Sequence, residues 1–256
     1  MRNQHPVFGE QIDPETPLWR YFDFAKFTSL LLNRALYFCR ADMLGDPLEG
    51  SATRARIAER QRLLQNPPDG KTREDLEDVF RHNAGIFRRE RRCAYVNCWH
   101  AGDHESMAMW QGYGGGGYGV AIQSTFALLA NVLPAHFQLR DREEPVFIGR
   151  VRYVDHSSEA ETVPNEYNLY GMFMGKSVAY RHESEVRAIF ADLVGGWSGT
   201  SSAGHLVPVD VQRMVRSVTV SPLAPAWFEE LVLATCSHLG FDLPLRKSIA
   251  TMEPIY

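Results

Sequence analysis

Short β-prone runs alternate with short amphipathic helices along this chain, and that alternation most limits what it can fold into. Leu18-Trp19-Arg20-Tyr21-Phe22 reads as a strand, and Asp23 as the N-cap of a helix with Phe24, Phe27, Leu30 and Leu31 on one face. Asn33 ends that helix and Ala35 to Cys39 reads as a second strand. Strands this short need a sheet and a covering layer to hold them.

The pattern continues. Residues 51 to 92 read as helix broken near Asn66 to Gly70, followed by a strand from Cys93 to Trp99. A short helix over Glu105 to Tyr113 spaces Met107, Trp110 and Tyr113 for one packed face. Val120 to Ile122 is a strand, and Ser124 caps a helix through Asn131. Glu144 to Val154 alternates as a strand, and Asn165 to Tyr180 reads as a helix. Val186 to Phe190, Leu206 to Val209 and Ser217 to Ser221 are strands, Pro225 to Leu239 is a helix stopped by Gly240, and Ser248 to Met252 closes the sheet. No repeat or linker divides the chain. The expectation is an α+β fold: one domain over residues 17–256, with a mixed or antiparallel central sheet flanked by helices. A loosely ordered N-terminal arm over residues 1–16 precedes it.

A chain of 256 residues with 45% hydrophobic and 23% charged content is that of an ordinary soluble globular protein. A formal charge of −4 argues against a surface that coats nucleic acid, but leaves room for a local basic groove. No apolar run approaches the roughly 20 residues a membrane helix needs, and the N-terminus lacks the apolar stretch of a secretory signal. Cys39, Cys93, Cys98 and Cys236 form no CxxC pair, so they read as buried thiols in a reducing cytoplasm.

Several chemistries fail on their residues. His100 and His104 flank Gly102 without completing a metal set, so no metal is expected. No GxSxG elbow supports a serine nucleophile. Cys98 and His100 are candidates for a cysteine nucleophile, but the reading places them on opposite faces of a strand. The glycines from Gly114 to Gly119 fit neither a Walker loop nor a dinucleotide fingerprint and read as a flexible turn. Ala41 to Gly50 reads as a solvated turn. The run Arg88-Arg89-Glu90-Arg91-Arg92 complements a helix dipole, with phosphate binding as its alternative.

Carboxylate chemistry remains. In Lys176 to Phe190, Glu183, Glu185 and Arg187 fall on one side if the segment is extended. That arrangement is either a surface ion-pair ladder or a site. With Arg20, Tyr21, Trp110 and Tyr113 it suits an anionic, ring-containing ligand. Arginine would take phosphate, aromatics would stack, and a glutamate would hold a ribose hydroxyl or offset a developing cation.

Four stretches carry a resemblance: LWRYFDFAKFTSLLLNRALYFCRADMLGDPLEGS, VNCWHAGDHESMAMWQGYGGGGYGVAIQ, KSVAYRHESEVRAIF and SPLAPAWFEELV. In order and over nearly the whole chain, they resemble the bacterial domain-of-unknown-function 2971 family. More distantly, Glu183-Ser184-Glu185 resembles the E-x-E of compact ADP-ribosyltransferase toxins, whose central sheet is split. That second resemblance implies NAD as substrate and two catalytic acids, Glu185 holding the ribose hydroxyl and stabilising an oxocarbenium-like transition state as the essential one, and Glu183 placed toward the acceptor. It also implies Arg20, Tyr21, Trp110, Tyr113 and Arg187 as cofactor-binding residues. The serine-rich middle motif of one transferase class is missing. Such domains resemble toxin or antiphage effectors, which implies a nucleic acid or protein as acceptor. The alternative is a non-enzymatic regulatory domain on the same scaffold.

Overall fold

In the computed structural model, residue 8 and residues 11–163 and 168–252 are described. The expected arm falls largely on residues 1–7 and 9–10, outside that set. Its described part is tied down: Ile12 is buried, and Ala127 and Phe126 donate backbone hydrogen bonds to Pro14 O and Thr16 O at 2.9 and 3.0 Å.

The first unit forms as its pattern predicts. β1 (Pro17–Asp23) leads into α1 (Phe24–Asn33), and Asp23 accepts from the Lys26 amide at 2.7 Å as the N-cap. Arg34 then takes a left-handed φ of 47°, which turns the chain into β2 (Ala35–Arg40). The helical stretch divides into α2 (Arg54–Gln65) and α3 (Arg73–Glu90), the latter started by a Thr72–Asp75 capping box. β3 (Ala94–Ala101), α4 (Met107–Tyr113), β4 (Gly119–Thr125) and α5 (Phe126–Val132) follow. Thr125, rather than Ser124, caps α5; the Ser124 hydroxyl donates to Met214 O instead.

Short strands come next: β5 (His136–Leu139), β6 (Arg142–Pro145), β7 (Phe147–Arg150) and β8 (Arg152–Val154). The helix expected over Asn165 to Tyr180 does not form. Its first residues, 165–167, lie outside the described set; the remainder is one turn, α6 (Leu169–Met172), then β9 (Gly175–Ser177) and a 3-10 turn from Val178 to Glu183. β9 pairs with β8, and Gly175 lies where a Cβ would strike Val163, so tertiary pairing overrides the helical reading. β10 (Glu185–Ala191), α7 (Leu193–Ser198), β11 (Gly204–Pro208), α8 (Val211–Met214), β12 (Ser217–Val220), α9 (Ala226–His238) and β13 (Leu245–Arg246) complete the chain. The last sheet strand is β13, not Ser248 to Met252, which holds a 3-10 turn.

Among the described residues nine strands form one sheet, antiparallel except where β12 meets β13, so this is a single α+β domain with a mixed central sheet. One face packs Leu18, Phe22, Trp99, Val186 and Phe190 beneath α1, α5 and α9. The opposite face carries Val96 and Ile189 against Phe173 and Met174, and Tyr21 against Met109 and Trp110.

The sheet is split at β3. β10 pairs with β3 from Ala94 to His100, occupying one edge. The other edge is shared: β2 pairs at Tyr95 and Val96, and β1 at His100 and Ala101. Between them Asn97, Cys98 and Trp99 have no strand partner on that side. Side chains fill the gap, with Asn97 Nδ2 donating to Tyr37 O at 2.8 Å and Arg20 reaching the same carbonyl at 3.5 Å.

Candidate active site

β10 delivers the acids. Ser184 holds a left-handed φ of 42° between Glu183, the last residue of the 3-10 turn, and Glu185, the first of the strand. Glu183 is therefore not on the strand with Glu185 and Arg187, yet the three side chains still meet. The surface-ladder reading fails on burial, because Glu183, Glu185 and Arg187 are 5%, 2% and 0% exposed.

Lys176, from β9, joins them. Its ammonium donates to Glu183 Oε2, and to Glu185 Oε2 at 3.0 Å. Arg187 donates to both Glu185 oxygens at 2.8 and 3.0 Å, to Glu49 Oε1, and to Phe173 O. Glu49 comes from the loop read as a solvated turn. That reading is corrected: Glu49 and Asp46 are buried, and the loop turns inward to supply a counter-charge to Arg187.

The network has three carboxylates and two cations, and the electrostatics divide the acids. For Glu185, burial pushes the pKa up, but Arg187 and Lys176 together outweigh it and hold the carboxyl at about 2. Burial wins at Glu49, whose pKa is raised despite Arg187. One Glu49 oxygen, Oε2, is buried with no partner among the described residues. Lys176 is pulled up by Glu185 and Glu183 against the opposing effect of burial, so its ammonium is firmly charged.

Glu183 is the acid at the edge. The Tyr113 hydroxyl donates to Glu183 Oε1 at 2.6 Å, and Tyr113 is 47% exposed. Burial, then the Glu183 contact, raises the Tyr113 pKa, so the phenol keeps its proton. The C-terminal end of α4 places that ring. Gly119 makes room for it: a Cβ there would stand 2.4 Å from Gly114 O, so β4 could not start against the end of α4.

The expected cofactor-binding residues divide. Tyr113 reaches the acids and solvent. Arg187, expected to contact the cofactor, is fully buried with its guanidinium on Glu185 and Glu49. Tyr21 and Trp110 are buried and meet edge to face at 4.9 Å. Their polar atoms are used internally, by the Ser106 amide and by Glu105. Both are expected to bind a cofactor; the structure places them in the packing between β1 and α4.

Arg20 leaves β1 on the face opposite Tyr21, with its guanidinium 5.3 Å from the Phe22 ring and 5.9 Å from the Trp99 ring. It does not join the acid network; it lies in the split of the sheet. Its Nη1 is buried with no partner among the described residues, and burial lowers its pKa to about 10. Cys98 and His100 lie two apart on β3 and so share a face, which corrects the reading that set them on opposite ones. They still make no nucleophile pair. The His100 Nδ1 donates to Glu183 O at 2.7 Å, and burial pushes the Cys98 thiol far above its ordinary value.

The sequence does not single out Glu49 or Lys176 as members of this buried network. Lys176 stood in the same segment as the acids, and Glu49 in a quoted motif, but neither carries a spacing that announces a partner.

No protein-family model matches the chain, so none supports the resemblance to the 2971 family, and no curated protein matches. Among solved structures, DarT from Thermus sp. 2.9, in complex with ADP-ribosylated ssDNA, is similar at a TM-score of 0.38 and 12% identity. The alignment covers 94% of this chain and 97% of that one. Similarity at this level carries no argument about chemistry. Among the described residues no helix is long and apolar enough to cross a membrane.

Proposed function

We propose that the protein cleaves NAD and transfers the ADP-ribose to a nucleic-acid or protein acceptor, with Glu183 as the carboxylate facing the sugar. One observation carries this reading. Of the three acids in the network, Glu183 also engages a solvent-exposed side chain, Tyr113.

In the step proposed, the bond between the ribose and nicotinamide breaks and its electron pair leaves with nicotinamide. The ribose becomes an oxocarbenium-like cation, and an acceptor oxygen or nitrogen, or water, attacks it and gives up a proton. A fixed carboxylate offsets that positive charge and is worth most when it does not have to reorganise. Lys176 fixes Glu183, Glu185 fixes Lys176, and Arg187, itself paired with Glu49, fixes Glu185. The Tyr113 ring offers an exposed face to nicotinamide. Arg20 lies against Phe22 and Trp99, away from the acids, and takes no part in this step.

Incubation with NAD labelled in its adenylate half, together with cell extract, tests the reading. Label should enter a macromolecular fraction, and its sensitivity to nuclease or protease names the acceptor class. If no label moves and no nicotinamide is released, the reading fails.

A second reading is a non-enzymatic partner-binding domain, favoured by Glu185: it is buried, with its oxygens held by Lys176 and Arg187. It predicts a partner that co-purifies with the wild type and with Glu183→Gln alike.

A further inference from the structure

The arginine run and the glycine/serine-rich segment after β10 meet on a surface the proposed chemistry does not use. α7 packs against α3 where that helix passes into β3. Gly196 touches Cys93 so closely that a Cβ would stand 2.2 Å from Sγ, and Asp192 N donates to Cys93 O at 2.7 Å. This seating holds Trp197 outward at 50% exposure, with the Arg89 guanidinium 5.5 Å from its ring centre.

The run itself sorts by direction. Arg88, Arg89 and Arg92 are exposed, and no acid pairs with them among the described residues. Glu90 is half-buried, and burial raises its pKa. Beyond Trp197 the chain is pinned by two further arginines: Arg140 donates to Thr200 O at 3.4 Å, and Arg40 to Ser201 O and Ser202 O at 3.0 and 3.1 Å. Those two are already paired, with Asp192 and Asp42, and act as clamps.

Helix-dipole complementation explains one or two cations at the end of α3. It does not explain three exposed cations without an acid partner among the described residues, one of them, Arg89, held over an outward tryptophan, on a chain of net charge −4. We propose that Arg88, Arg89, Arg92 and Trp197 form a binding surface for single-stranded nucleic acid. The guanidiniums take backbone phosphates and the indole stacks on a base, a combination that tolerates sequence but favours an unpaired strand. The surface is at the Ala94–Ala191 end of the β3–β10 pair, and Glu185 is at the other, about 20 Å away at roughly 3.3 Å per residue. It is therefore separate from the acid network, and its test needs no NAD.

The experiment is fluorescence anisotropy of the full chain with a labelled twelve-nucleotide oligo(dT), across a salt series. Three phosphate contacts predict a log–log salt slope of about −2 for a single strand. Substituting Arg88, Arg89 and Arg92 together by Gln should flatten that slope and weaken binding at least tenfold. Trp197→Ala should weaken binding about five- to a hundredfold with the slope unchanged. The oligonucleotide should quench tryptophan emission in the wild type and not in Trp197→Phe, which decides the matter even if the triple variant fails to fold. The proposal is overturned if the triple variant binds equally well. It is also overturned if a poly-glutamate peptide displaces the oligonucleotide at matching concentration, or if duplex binds as tightly and Trp197→Ala has no effect. Failure of NAD cleavage leaves these outcomes unchanged, and failure here leaves the NAD reading to its own test.

Discussion

Arg187 has no solvent exposure and bonds two glutamates and a carbonyl, so its removal leaves Glu49 buried without a cation and Glu185 with Lys176 alone. Breaking one side of such a pair costs about 3–5 kcal/mol. Arg187→Met should lose stability of that order in urea unfolding; a loss under 1 kcal/mol would mean the network is not closed as described. Glu185 adds a pH dependence. Its folded pKa, about 2, lies below the unfolded value of 4.5. Its stabilisation is therefore complete above pH 4.5 and is lost as pH falls toward 2. The stability gap between wild type and Glu185→Gln should be widest near neutrality and close across that window. A gap that widens with acid would contradict the assignment. Glu49 moves in the opposite sense, with its pKa raised by burial, so it takes up a proton first as pH falls. Little of this was legible in the sequence. Glu183, Glu185 and Arg187 stood out because they are crowded together. Glu49 did not, because its partner lies 138 residues away and its neighbours are the glycine and proline of a turn.

At the scale of elements, the end of α4 and the start of β4 decide whether Tyr113 meets Glu183. Gly119→Ala would place a methyl group 2.4 Å from Gly114 O, a clash with backbone that only a shift of α4 relieves. The variant should melt lower and lose the Tyr113–Glu183 contact. Activity should fall with it, and by more than in Gly112→Ala, where no atom stands within 4 Å of the added methyl. Equal behaviour of the two would contradict this positioning. The strand–helix–strand opening was readable because local signals agree there: the Asp23 cap, the apolar face of α1 and the β-prone runs on either side. Asn165 to Tyr180 misled because Lys176 sits on a three-residue strand that exists through its pairing with β8. No local periodicity encodes that pairing.

At the scale of the whole molecule, the split at β3 sets Arg20 and the acid network on different sides of one sheet. The sequence placed Arg20 and the acids in one cleft; only the topology shows that β1 and β2 share an edge and leave Arg20 between them. The central claim therefore rests on the Glu183 end of the network, and nicotinamide release from NAD by purified protein tests it most directly. Losing a single preorganised electrostatic contact to a transition state costs on the order of 10²–10³ in rate. Glu183→Gln, which keeps the shape and can still accept from Tyr113, should release nicotinamide at least a hundredfold more slowly while melting within a few degrees of the wild type. Wild-type protein that releases none, or a Glu183→Gln variant that releases it at the wild-type rate, would contradict the account.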